Sequence, residues 1–208
     1  MTGVQRAVAI EATIIVLLIL VWYLRNRLVQ KRNVVQEAQA QLDVQLDRRH
    51  HVVPALVAAV SAAQAQERAV LERVATAAEQ AQAAAPPPEP PPVRPGRPPS
   101  PAVRRARLEQ LAGIRRLGLL EGELTSALRD LQRVVEASPQ LQTDQNALRL
   151  HEDLLSAENR VAFARQHYND SAMLYNNAVQ AFPSNLVARF TGIRPADYLD
   201  LKLLADTP

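Results

Sequence analysis

The chain has 208 residues, no cysteine, few glycines and a small net charge of +3. Disulfides, cysteine-bearing zinc sites and thiol catalysis are therefore excluded. The basic residues gather near residue 25 and across 94–107 without interleaved aromatics, so nucleic acid is not an expected partner.

Alanine, leucine, valine, glutamine and arginine dominate, and no run alternates apolar and polar residues long enough to make a strand. An all-α protein is expected. After a short flank at 1–6 comes "AVAIEATIIVLLILVWYL", residues 7–24. As a helix it spans about 27 Å, close to the apolar thickness of a bilayer. Glu11 sits near its start, within reach of the interface, and Trp22 and Tyr23 lie at the other end, where aromatic belts form. The run is followed by "RNRLVQKR" rather than a small-x-small cleavage site, which favours an uncleaved single-pass anchor over a signal peptide. Arg25, Arg27, Lys31 and Arg32 follow the span, against Arg6 and the amino terminus before it. The positive-inside rule then places the N-terminus outside the cell membrane and the body in the cytoplasm.

Residues 33–85 are expected as one long helix, or two joined by a kink near Pro54. Val35, Ala38, Leu42, Val52, Leu56, Ala59, Ala63, Val70 and Val74 recur at spacings built from threes and fours. Pro54 lacks a backbone donor and crowds the preceding turn. "PPPEPPPVRPGRPPSP", residues 86–101, predicts an extended, solvated connector between antiparallel helices, with docking of a proline-binding module as the alternative. A second helix is expected over 103–137, ended by Ser138 and Pro139. A third, over 144–182, carries a regular heptad seam through Leu150, Leu154, Ala157, Val161, Ala164, Tyr168, Ser171, Tyr175, Ala178 and Phe182.

This third helix contains "ENRVAFARQHYND", residues 158–170, the densest polar group in the chain. Glu158, Arg165, Asn169 and Asn176 share a stripe beside the seam. Glu158 and Arg165 stand two turns apart and cannot touch. No Ser, His and acid have triad spacing, and His50, His51, His151 and His167 show no HExxH or other local metal pattern. Glu158, Arg165, Asn169 and Asn176 are read as structural polar contacts between helices, with no catalytic residue, metal site or cofactor expected. An enzyme would need a pocket converging on Glu158, Arg165 and a histidine from the first helix.

In the C-terminal segment, 183–208, Pro183 stops the long helix, Ser184 is the expected N-cap of a short one, and Gly192 is able to end it. Phe182, Leu186, Val187, Phe190 and Tyr198 form a candidate interaction surface. Either they close the end of the bundle or part of them stays exposed for a partner or a membrane.

"ENRVAFARQHYNDSAMLYNNAVQAFPSNLVARFTGIRPADYLDL" resembles the C-terminal signature of the LemA family. "LDVQLDRRHHVVPALVAAV" is similar to that family's first soluble helix, including Arg48, Arg49 and Pro54, while the proline-rich stretch departs from the pattern as an insertion. The resemblance implies a membrane-anchored antiparallel bundle of long helices with no accepted enzymatic activity. A magnetosome-associated branch of that family is linked to intracellular membrane compartments. The expected function is a membrane-tethered scaffold or adaptor with an unidentified protein partner. The alternative is a protein that remodels membranes by forming homo-oligomers.

Overall fold

The computed structural model describes residues 3–63, 67–84 and 100–199. Among these residues all regular structure is helical: α1 (Gly3–Ala63), α2 (Arg68–Ala83), α3 (Pro101–Ala137), α4 (Pro139–Thr143), α5 (Gln145–Gln180) and α6 (Ser184–Thr191). The all-α architecture expected from composition is thus present.

The anchor and the first bundle helix are one element. No glycine or proline interrupts the chain between Gly3 and Pro54, so nothing in the backbone ends the helix where it leaves the apolar span. Its N-terminal part is long and apolar enough to cross a membrane, and almost none of that window is buried within the molecule. The helix also continues through Pro54, and the helical stretch expected over 33–85 is divided after Ala63 into α1 and α2. Proline withdraws the bond that the His50 carbonyl would accept. Its exposed ring is tolerated because Val53 and Leu56, on the opposite face, are fully buried. The chain leaves α1 after Ala63 and enters α2 at Arg68. Helices packed together after so short a connection run antiparallel.

The other boundaries have local causes. Ser100 accepts a hydrogen bond from the Val103 N–H, with Pro101 at the first helical position, so Pro101 begins α3 instead of closing the linker. Residues 86–99 of the expected linker and 200–208 of the tail lie outside the described residues. Ser138 ends α3, yet its hydroxyl accepts from the Leu141 N–H and starts α4, a turn not anticipated from sequence. Asp144 caps α5 through the Asn146 and Ala147 N–H groups. Pro183, not Ser184, holds the N-cap position of α6, and Ser184 is its buried first residue. Gly192 (φ 72°) takes the left-handed conformation that closes α6.

Two regions follow along α1. In the distal region Val53, Leu56 and Val60 pack with α2 (Leu71, Val74, Ala78), α3 (Leu124, Leu128, Leu131) and α5 (Leu154) as a four-helix core. Nearer the apolar span α1 and α5 continue as a packed pair. Leu42 and Leu46 meet Val161 and Ala164, while Leu28, Val35 and Ala38 meet Tyr168, Ala172, Tyr175 and Val179. Numbers fall on α1 as they rise on α5, so the pair is antiparallel. This two-helix stem leads back to the span, with α6 packed against both helices at its foot.

Candidate functional site

The stem has two unlike sides. On one, α5 holds the non-helical segment 193–199. Tyr168 Oη donates to the Asp197 carbonyl (2.8 Å) and Tyr175 Oη to that of Arg194 (2.7 Å). The Asn176 amide donates to the Ala196 carbonyl (2.9 Å) and accepts from the Ala196 N–H (2.7 Å). Asn169 does the same with Leu199, at 3.1 and 3.0 Å. Each amide thus satisfies both backbone groups of one residue, as a neighbouring strand would. The pattern repeats at a seven-residue interval, two helical turns, so both Tyr–Asn pairs face the same way. Burial pushes the Tyr168 hydroxyl up to about 12, helped by the Asp197 and Asp43 carboxylates. Burial raises Tyr175 as well, opposed by Arg32. Both phenols therefore remain neutral donors. Asn169 and Asn176 belong to the polar stripe expected from sequence, but they contact the main chain of the C-terminal segment rather than another helix.

The remaining stripe residues do not converge. Glu158 accepts from Gln132 Nε2 at 3.2 Å, linking α5 to α3. Half-buried Arg165 has no hydrogen-bond or ion-pair partner among the described residues. On α1, exposed His51 lies 3.4 Å from Asp47 of the same helix, while His50 Nε2 lies 3.0 Å from Glu121 Oε1 on α3. The other oxygen of Glu121 accepts from Arg49 Nη2, and Arg49 Nη1 also donates to Thr125 Oγ1 at 3.0 Å. Arg49 and Glu121 are only 2% and 1% exposed. A carboxylate held between a guanidinium and an imidazole inside the bundle fixes the register of α1 against α3. Sequence reasoning singled out Arg49 only through the family resemblance, and nothing local marked Glu121.

The other side of the stem is open. Between α1 and α5 lies a groove of about 990 Å³, lined by Glu37, Ala40, Val44, Asn159, Arg160, Phe163 and His167 among others. Phe163 is 74% exposed and Val44 62%. Polar residues surround these two apolar side chains, as in a recognition surface with a hydrophobic centre. The C-terminal candidate surface divides: Phe182, Leu186, Phe190 and Tyr198 are exposed, whereas Val187 is buried. Its membership of that surface is corrected here, since Val187 shares a face of α6 with buried Ser184 and Ala188.

The sequence model of the LemA family matches residues 38–207. Magnetosome proteins MamQ 1 and MamQ 2 of Paramagnetospirillum magneticum (strain ATCC 700264 / AMB-1) are each 34% identical to this chain over 88 residues. Magnetosome protein MamQ of Magnetospirillum gryphiswaldense (strain DSM 6361 / JCM 21280 / NBRC 15271 / MSR-1) is 32% identical over the same length. The match covers 42% of this chain and 32% of each relative.

Proposed function

The chain belongs to the LemA family, and from that premise we propose that it is a non-catalytic, membrane-anchored scaffold that seats a helix of a partner protein. The observation that carries this reading is the open groove of the stem, with exposed Phe163 and Val44 at its centre. Distally the α1–α5 pair is completed by α2 and α3. In the stem one side is covered by 193–199 and the groove side is not, so an amphipathic helix laid against Val44 and Phe163 would complete a third layer. Glu37 and Arg160, which also line the groove, would set its register by charge. Glu158 and half-buried His50 engage separate partners on α3, and neither converges with Arg165, which supports a non-catalytic role. The lysine and arginine excess after residue 24 supports a cytoplasmic body.

A photo-crosslinking residue at position 163 in the full chain, in its native membrane, tests this. The expected product is one distinct protein, lost with Val44→Asp. Crosslinks to a second copy alone would favour the alternative reading, self-assembly that remodels the membrane. No product at all would sink both. An alkaline phosphatase fused to the C-terminus, active only outside the cytoplasm, should stay inactive if the orientation is right.

A further inference from the structure

We propose that α6 is a foot set into the surface of the same bilayer that α1 crosses, with Phe182, Leu186 and Phe190 lodged among the lipid headgroups. The proposal rests on the reading of α1 as the membrane anchor.

The argument begins with a helix that is apolar on two faces. Ser184, Val187 and Ala188 are buried against the stem. On the opposite side Leu186 and Phe190, four residues apart, lie on one face. Phe182, just before α6, adds a third large apolar group. These residues are 80% (Phe182), 50% (Leu186) and 71% (Phe190) exposed. A short helix that has already buried one apolar face gains nothing in water from a second.

Position supplies the occupant. α6 packs against both α1 and α5 at the end of the stem, where Ala188 joins a cluster with Leu28 and Val179. Leu28 is about 6 Å along α1 from Leu24, the last residue of the apolar span. Leu28 lies about 8–9 Å along α1 from Trp22 and Tyr23, within the width of a helix about 10 Å across. Both aromatics are exposed, as are the aliphatic residues 14–21 leading to them. In the proposal the exposed face of α6 continues the lipid-facing surface of α1. The segment after Gly192 runs back up α5, from Arg194 beside Tyr175 to Leu199 beside Asn169, so the 181–192 reversal is the part of the C-terminal segment 181–199 nearest the span. Arg189 in the last turn of α6, with Arg25 and Arg27 on α1, places cations where headgroup phosphates lie. Aromatic side chains flanked by arginine suit a bilayer interface, which accepts the rings and hydrates the charges.

The cysteine-free sequence permits single-site labelling. Phe190→Cys and Leu186→Cys, each carrying an environment-sensitive fluorophore on the full chain, would be reconstituted into phosphatidylcholine–phosphatidylglycerol vesicles. Lipids bearing a nitroxide near the headgroup should quench both labels at least twofold more than a label at Leu155→Cys. Leu155 is exposed on α5 in the distal bundle, about 40 Å from the span. A Leu17→Cys label, within the span, should be quenched by nitroxides deep in the acyl chains. Quenching at 186 and 190 equal to that at 155, with Leu17→Cys still quenched, would overturn the foot and leave the anchor standing. Loss of quenching at Leu17→Cys would overturn both. Labels indifferent to nitroxide lipid but altered by dilution with unlabelled chain would show that a second copy covers α6, which also overturns the proposal. Circular dichroism matching the wild type confirms that each labelled chain is folded.

Discussion

Tyr168 and Asn169 recur seven residues later as Tyr175 and Asn176, and this repeat is the clearest residue-level device in the chain. The heptad seam revealed which face these residues occupy. It could not reveal that their partner is the backbone of residues 194–199, because main-chain groups carry no sequence label. The repeat makes stability sensitive to alkali. An unfolded tyrosine titrates near pH 10, whereas Tyr168 in the folded chain holds its proton up to about 12. Above pH 10 the unfolded state releases its proton first, so stability present below pH 10 is lost as pH rises toward 12. The loss is on the order of 2 kcal/mol. Urea titrations at pH 9 and 11.5 should show it, and Tyr168→Phe should reduce the difference; an unchanged difference would place the titration elsewhere. The buried Arg49–Glu121 pair was not legible at all, because its members are 72 positions apart. Glu121→Ala should cost about 3–5 kcal/mol by leaving a guanidinium buried without its carboxylate. The apolar double change Arg49→Met with Glu121→Leu should recover most of that, and a double variant as unstable as the single would argue against this account.

At the scale of elements, the strongest periodicities identified the helices and local chemistry set their ends. The α5 seam was visible because it alternates fours and threes over many turns, and Asp144 caps it close to the expected start. Two prolines act in ways that propensity alone does not give. Pro54 is a helix breaker by propensity, but the burial of Val53 and Leu56 keeps α1 helical through it. Pro139, which ends α3, is also a good first residue for the next helix once Ser138 caps it, and so α4 appears. The connector between α2 and α3 gives a prediction of its own. Replacing 86–99 by a glycine–serine loop of equal length, while keeping Ser100 and Pro101 to cap α3, should change stability by under about 1 kcal/mol, since closure entropy depends weakly on stiffness and length. Thermal melts of the full chain in detergent would check this. A loss of several kcal/mol would mean that the prolines pack on the bundle.

For the whole molecule, the decisive feature is that anchor and arm are a single helix. From residue 24 to residue 63 α1 rises about 60 Å, so the distal four-helix core is carried well clear of the membrane while the groove lies between. A lone helix leaving a bilayer would be free to lean; here α5 stiffens it over most of that length and α6 braces its base. Sequence periodicity predicted the bundle but not this division into stem and head, because it cannot tell which helices share a level. The division sets an expected height. A donor dye on Ala63→Cys, with acceptor dyes on the vesicle surface, should report the tip about 55–60 Å above the membrane, allowing for an ordinary tilt of about 20°. Phe182→Ser combined with Phe190→Ser should lower the mean height or broaden its distribution, because the foot would no longer hold the stem upright, while helicity should be unchanged. If the wild-type tip instead lies within about 30 Å of the surface, half the length of a straight arm, the stem leans or folds onto the bilayer and the groove faces lipid. The place for a soluble partner's helix would then be lost.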